Sequence, residues 1–300
     1  MLWLKLLFPA AKREIESPHN QEEVTHQNFP PFVKDLFVGK FNKSVLSYAE
    51  VLSDESHFNL ESKIKEIGHF LGTKVTALEQ VDRTGKLPPD ILDTFKKSGL
   101  LGLSIPTEYQ GAGFLKTEIA RFHELFGCDL SLSEVLGVNE FLGHHTLMRA
   151  GSEEQRKRYL PLLANGDMMS TWCLAETGAG SDPDSVACEA LRDGEEFVIN
   201  GTKTWVANAQ NAGLFIVFAK VKDKSQGDEE PILSCFLMDR AELGEGGLEI
   251  SKPYSLSGLK GMEVCDVKFN NCKGESVFHN SSLEEVLGLR EGSREVLSSL

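Results

Sequence analysis

The stretch Asn165-Gly166-Asp167-Met168-Met169-Ser170-Thr171-Trp172-Cys173-Leu174-Ala175-Glu176-Thr177-Gly178-Ala179-Gly180-Ser181-Asp182 is where the chain changes character. Asn165-Gly166 reads as a helix stop, since both residues tolerate the backbone that closes a last turn. Residues 169–174 then read as a strand that breaks at Gly178. Small residues at 178–181 leave backbone N–H groups accessible and let a ligand approach closely, which suits a diphosphate. Taken alone, an ordinary Gly-rich turn is the simpler reading. The glycine spacing is not that of a dinucleotide-binding βαβ unit.

Upstream of this stretch the pattern is helical. Leu60, Ile64, Ile67, Leu71, Val75 and Leu78 recur three or four residues apart, which places them on one face of a helix. Asp82-Arg83-Thr84-Gly85 stops that helix. Pro88 and Pro89 open another through Phe95 to Gly99, because proline is tolerated in a first turn. Leu100 to Ile105 is a short apolar run closed by Pro106, and Tyr109-Gln110-Gly111-Ala112-Gly113 is a loop. Residues 116–126 read as helix. Residues 131–150 carry few charges and read as a long, largely buried helix. Ser152-Glu153-Glu154 caps a basic helix that runs through Arg156 and Arg158 to Leu163.

Downstream, strands are expected at 169–174, 186–191, 196–199, 203–206, 214–220, 232–239, 248–250 and 265–269. Asp193-Gly194 is a hairpin signal and Asn200-Gly201 a tight turn. Lys222 to Glu230 is a solvated polar loop. Short strands at regular spacing suggest a sandwich or barrel. The fold class is therefore α+β and multidomain. A lead-in over 1–54, poorly ordered or extended, precedes an all-α domain over 55–166. A β-sandwich or barrel-like domain follows over 167–283.

Composition bounds the function. The 300 residues hold 31 Lys and Arg against 45 Asp and Glu, a net charge of −14. That balance argues against nucleic acid and against anionic membrane surfaces as partners. No run approaches the ~18 apolar residues of a membrane span. The six cysteines form no C-x-x-C pair and read as reduced thiols, although sequons at Asn42, Asn200 and Asn280 leave a secreted reading open. Residues 2–8 are apolar except for Lys5 and faintly resemble a signal peptide. Residues 12–27 carry too many acids for a mitochondrial presequence.

Other chemistry is sparse. Trp205, after Asn200-Gly201-Thr202-Lys203-Thr204, could lie against a flat ring, although core packing is the simpler reading. His144 and His145 are adjacent and point apart on a helix, which suits core or boundary roles rather than a metal pair. There is no G-x-S-x-G elbow and no metal-ligand spacing.

Together these segments resemble the acyl-CoA dehydrogenase family. Leu100-Leu101-Gly102-Leu103 into Ile105-Pro106 and Tyr109 to Gly113 is similar to a loop of that family's helical domain. Gly151-Ser152-Glu153-Glu154-Gln155 through Tyr159-Leu160-Pro161 to Ala164-Asn165-Gly166 is similar to its next helix. Trp172 to Asp182 and Ile199 to Trp205 resemble its two flavin-binding strands. Gly258-Leu259-Lys260-Gly261 to Asp266-Val267-Lys268-Phe269 resembles the close of its β domain. Order is preserved from about 55 to 294. Pro31-Phe32-Val33-Lys34-Asp35-Leu36-Phe37-Val38-Gly39-Lys40 resembles the very-long-chain branch, which includes a relative that helps assemble respiratory complex I.

The resemblance implies FAD and oxidation of a long-chain fatty acyl-CoA to the trans-2-enoyl-CoA in fatty acid β-oxidation. A carboxylate would take the α proton while the β hydrogen leaves as hydride. Trp172, Leu174, Ala175, Gly180, Ser181, Trp205, Val206 and Ala207 would line the flavin, and Ser181 would reach the acyl-CoA. The implied partners are fatty acyl-CoA, an electron-transfer flavoprotein or a respiratory assembly partner, and further copies of the chain. The implied compartment is the mitochondrion, at the matrix or inner-membrane face.

Three departures stand out. The family places hydroxyl side chains at Ala175 and Ala207, where they bond the flavin ring, and each loss is worth about 1 kcal/mol. Thr177 replaces a usual proline and Gln110 a usual glycine. Residues 284–300, with Arg290-Glu291-Gly292-Ser293-Arg294, resemble the opening of a C-terminal helical bundle. The bundle and its catalytic glutamate are expected to be absent, so no residue of this chain inherits that role. The expectation is a chain not competent in catalysis alone, with a non-catalytic scaffold in complex I assembly as the alternative.

Overall fold

The computed structural model describes residues 36–40, 52–193, 196–222, 231–244 and 246–277. Most of the lead-in, the Gly194 end of the hairpin, nearly all of the loop at 222–230 and the segment 284–300 lie outside these.

Helix α1, Asp54–Thr73, starts at Ser53, whose hydroxyl accepts from the Ser56 N–H. Its buried face is Leu60, Ile64, Ile67 and Leu71. The expected single helix breaks at Lys74, so Val75 turns outward at 49% exposure while Leu78 returns to the core on the short helix α2, Val75–Leu78. Helix α3, Val81–Thr84, closes on Gly85 at φ 70°, a left-handed backbone that glycine adopts without a Cβ penalty. Helix α4, Pro89–Lys97, buries Ile91 and Phe95. Helix α5, Lys116–Phe126, buries Phe122 and Phe126, and the Phe95 and Phe126 rings meet at 5.2 Å.

The long buried helix is present with one irregularity. Helix α6, Leu130–Gly137, is capped by Asp129 and runs into a π-helical segment, Val138–His144. Helix α7, His145–Ala150, continues it. Helix α8, Glu153–Ala164, opens with a reciprocal box: Ser152 Oγ accepts from Gln155 N–H at 3.1 Å, and Gln155 Oε1 from Ser152 N–H at 2.9 Å.

Seven strands follow: β1 Ser170–Cys173, β2 Glu189–Asp193, β3 Glu196–Val206, β4 Leu214–Lys222, β5 Ile232–Asp239, β6 Leu248–Ile250 and β7 Cys265–Ser276. Strand β4 pairs antiparallel with β5 on one edge. Its other edge takes β1 and then β2, both parallel. The pairs β2–β3, β3–β7 and β5–β7 complete a closed ring, so the sheet is a barrel rather than a sandwich. Phe215, Phe218, Phe236 and Phe269 are all buried in its hydrophobic core.

Asn200-Gly201 is not the expected turn. The two short strands expected there are one strand, β3, with a register shift between Ile199 and Gly201. A Cβ on Gly201 would stand 2.6 Å from Cys188 Sγ, so the strand approaches its neighbour too closely for a side chain. All six cysteines are free thiols, and Cys128 alone is exposed.

Candidate functional site

The two segments singled out in the sequence lie side by side, although β1 and β3 share no ladder. Four hydrogen bonds join them. Thr171 Oγ1 donates to the Ala207 carbonyl at 2.7 Å, and the Thr204 N–H donates to the Ala175 carbonyl at 2.9 Å. Lys203 Nζ donates to the Leu174 carbonyl at 3.0 Å and to Glu176 Oε1 at 2.6 Å.

Lys203 is fully buried and Glu176 is 8% exposed. A buried charge needs both a partner and hydrogen bonds. Glu176 has both, since its carboxylate also accepts from the Ala187 N–H at 2.7 Å and the Cys188 N–H at 3.0 Å. Burial pushes the carboxyl up, but Lys203 and the two amides outweigh it and hold Glu176 below the usual carboxylate range.

Glu176 and Ala179 exchange two backbone bonds of 3.0 Å, which makes Thr177-Gly178 the tip of a tight turn. Thr177, Gly178, Gly180 and Ser181 are exposed. A Cβ on Gly178 or Gly180 would meet nothing within 4 Å, so the space in front of this backbone is open.

The remaining residues divide by environment. Trp172 is half-buried against Phe218, ring centroids 4.6 Å apart. Leu174, Ala175 and Ala207 are half-buried. Val206 is buried in the barrel core, so only its backbone can face a ligand. Trp205 is not core: it is 62% exposed and sits at φ 58°. An exposed indole, open glycine backbone and methyl groups at 175 and 207 fit a flat ring joined to an anionic tail. Among the described residues no group of three or more His, Cys, Asp or Glu could hold a metal ion, and no helix is long and apolar enough to cross a membrane.

One cluster was missed in the sequence. On the π-helical segment, Asn139 Oδ1 accepts from both the N–H and the hydroxyl of Ser170 at 2.9 Å. Its Nδ2 is then the donor to His144 Nε2 at 3.0 Å, which leaves the ring proton on Nδ1, 3.3 Å from Glu140 Oε2. Glu140 Oε1 accepts from the Ser104 N–H at 2.9 Å. Burial raises the Glu140 carboxyl, but His144 and Ser104 together hold it below the usual range. The cluster fastens the helical domain to the start of β1. Its signals in the sequence were Asn139-Glu140 within a helix of few charges and His144, whose expected core role its full burial bears out.

A second junction is Gly261, whose N–H donates to Ser131 Oγ at 3.2 Å. A Cβ there would lie 2.5 Å from Val81 Cγ1. The barrel thus rests on two elements of the helical domain close to the end of β3.

Comparison with known proteins bears on this arrangement. Residues 61–167 match the family description "Acyl-CoA dehydrogenase, N-terminal domain" and residues 171–272 match "Acyl-CoA dehydrogenase, middle domain". The mouse protein "Very long-chain specific acyl-CoA dehydrogenase, mitochondrial" is 31% identical over 263 residues, 86% of this chain and 38% of its own length. A Dictyostelium discoideum protein, "Probable short/branched chain specific acyl-CoA dehydrogenase", is 35% identical over 77% of this chain and 54% of its own length. This chain thus spans well under two thirds of either relative. Among solved structures, an acyl-CoA dehydrogenase from Bacillus anthracis complexed with FAD superposes with a TM-score of 0.63 at 28% identity, over 76% of this chain and 37% of that one.

Proposed function

This chain belongs to the acyl-CoA dehydrogenase family, and from that premise we propose that it serves FAD-dependent α,β-dehydrogenation of a long-chain fatty acyl-CoA, yielding the trans-2-enoyl-CoA. The observation that carries the reading is the stitching of residues 171–176 to residues 203–207 through Lys203, Thr204 and Thr171. It brings an exposed indole and an open glycine loop to one place. FAD, when bound, supplies the hydride acceptor.

On this reading Trp205 offers its indole face to the flavin ring, and Trp172, Leu174, Ala175 and Ala207 supply apolar and backbone contacts. Gly178, Gly180 and Ser181 leave room for the diphosphate, and the Ser181 hydroxyl reaches the acyl-CoA. Glu176 is not the base that takes the α proton. Its carboxylate is fully engaged by Lys203, Ala187 and Cys188. Because no glutamate of this sequence matches the family's catalytic glutamate by motif, we propose that the 300-residue chain binds flavin without turnover by itself. Long-chain preference and a mitochondrial setting are supported by the names of the very-long-chain relatives, electron delivery to an electron-transfer flavoprotein is what the family resemblance implies, and all three form part of the proposal. No observation favours the complex I scaffold.

The test is the visible spectrum of the purified chain after reconstitution with FAD, then titration with acyl-CoAs of increasing length. The expected result is bound flavin, perturbed most by long chains, with no catalytic reduction of an electron acceptor. A folded chain that takes up no FAD would overturn the cofactor assignment, and acyl-CoA-dependent turnover would overturn the assignment of no base.

A further inference from the structure

Backbone strain among the described residues gathers in one place. Four of the six non-glycine residues at positive φ lie in two facing segments: Trp205 (58°) and Asn208 (57°), and Leu259 (58°) and Glu263 (48°). At all of these but Asn208, an L residue's Cβ crowds the following carbonyl oxygen, so the backbone is strained. Strain of this kind persists only where the surroundings over-determine it, and it clusters at functional sites. The Asn208 N–H donates to the Met262 carbonyl at 2.7 Å, and Asn211 Nδ2 donates to Glu263 Oε2 at 2.9 Å, so the segments hold each other.

At the edge of this strained region stands Trp205, whose indole faces solvent over most of its surface. The ring it packs against is Tyr254, centroids 4.8 Å apart and planes at 50°. A tryptophan beside a tyrosine on a surface is unremarkable by itself. Here the tyrosine is fixed at both ends. Its backbone N–H donates to the Val264 carbonyl at 2.8 Å. Its hydroxyl donates to the Asp266 carboxylate and stands 2.8 Å from Thr204 Oγ1, which must then be the donor in that contact. Asp266 is held in turn, its N–H donating to Ser251 Oγ at 2.9 Å. The relay Thr204 to Tyr254 to Asp266 therefore begins on the residue adjacent to Trp205 and ends on β7. The Asp266 carboxylate that accepts from it raises the pKa of the Tyr254 hydroxyl, which is a donor at neutral pH even at the ordinary tyrosine value.

We propose that Tyr254 is a positioning residue: its ring, braced by Thr204 and Asp266, sets the orientation of the Trp205 indole as a rigid platform. The inference deepens the flavin reading and rests on it for what the platform faces. It assigns a role to a residue that lies outside both segments of the candidate site, 172–182 and 199–207.

The test uses Tyr254→Phe, which keeps the ring and cuts the relay, and Tyr254→Ala, which removes both. The rotational freedom of the Trp205 indole is read by time-resolved fluorescence anisotropy of the cofactor-free chain, with the signal of a Trp205→Phe variant subtracted. The expected result is a larger fast-decaying share in Tyr254→Ala and an intermediate one in Tyr254→Phe. FAD affinity in Tyr254→Ala should fall roughly threefold or more, the scale of one lost aromatic contact. Unchanged anisotropy in both variants overturns the proposal. Should Tyr254→Ala fail to fold, the Tyr254→Phe result decides alone. A loosened indole with unchanged FAD affinity supports the positioning role and removes Trp205 from the flavin site.

Discussion

Lys203 Nζ and Glu176 Oε1 lie 2.6 Å apart, the lysine fully buried and the glutamate nearly so. Through this pair the glycine-rich loop is held to strand β3, and with it the two tryptophans of the candidate site. A buried pair of this kind does not add much net stability against an apolar replacement of both partners, but breaking it from one side does harm.

Replacing Lys203 alone should therefore be severe. Lys203→Met leaves the Glu176 carboxylate buried beside an apolar chain, and the expected loss is about 3–5 kcal/mol in urea unfolding at neutral pH. The double replacement Lys203→Met with Glu176→Leu should recover most of it. A single variant within 1 kcal/mol of the parent would contradict the role assigned to the pair.

Acid stability follows from the same carboxylate. Glu176 and Glu140 are held below the ordinary glutamate value of 4.5 in the folded state. A group depressed on folding contributes stability above its unfolded pKa and loses it as pH falls through the folded one. Unfolding free energy should thus be level near neutrality and decline below about pH 4.5. Glu176→Gln should start lower at pH 7 and show a shallower acid limb. Parallel limbs would sink the linkage.

Two glycines separate fold from site. In Gly143→Ala the new Cβ would stand 1.8 Å from Ser170 Oγ, where the π-helical segment meets β1, and a loss of about 1–3 kcal/mol or more is expected. Gly178→Ala meets nothing within 4 Å, so its stability should stay within about 0.5 kcal/mol of the parent. FAD titration should nonetheless show weaker binding, because the methyl group enters the open space. Equal FAD affinity would remove Gly178 from the site.

The methyl groups at 175 and 207 give a gain-of-function test. Ala207→Thr restores a hydroxyl beside the proposed flavin position, and FAD binding should tighten by roughly three- to tenfold, the worth of one hydrogen bond. Weaker binding would show that the site has closed around the alanine.

Thiol reactivity should be lopsided. Cys128 is exposed, whereas burial pushes Cys188 up to about 11 and raises Cys173 and Cys235 further. Ellman titration of the native chain should show one accessible thiol and five that appear only on unfolding.

Much of this was legible from local pattern. Helices α4, α5 and α8, the apolar face of α1 and the strands β4, β5 and β6 follow from periodicity and stop signals, because each element's own side chains define its buried face. Closure of the sheet was not legible. It depends on β4 taking β1 and β2 in succession on one edge, and pairing partners distant in the chain leave no local trace. Asn200-Gly201 misled for a related reason: the pair is a turn in isolation, but β2 and β7 offer ladder partners on both sides, and the strand runs through with a bulge.

The sequence by itself determined the family resemblance, the helical-then-β order and the two segments that form the candidate site. Those are properties of residue order and short-range spacing. The tertiary structure decided what those segments do to each other. Only folding turns Trp205 outward, sets Tyr254 against it, buries Lys203 onto Glu176 and closes Asn139, Glu140 and His144 around Ser170. Each of these joins residues far apart in the chain or depends on which face is buried. Their energies come from desolvation and hydrogen-bond geometry, which exist only once the barrel and the helices have packed.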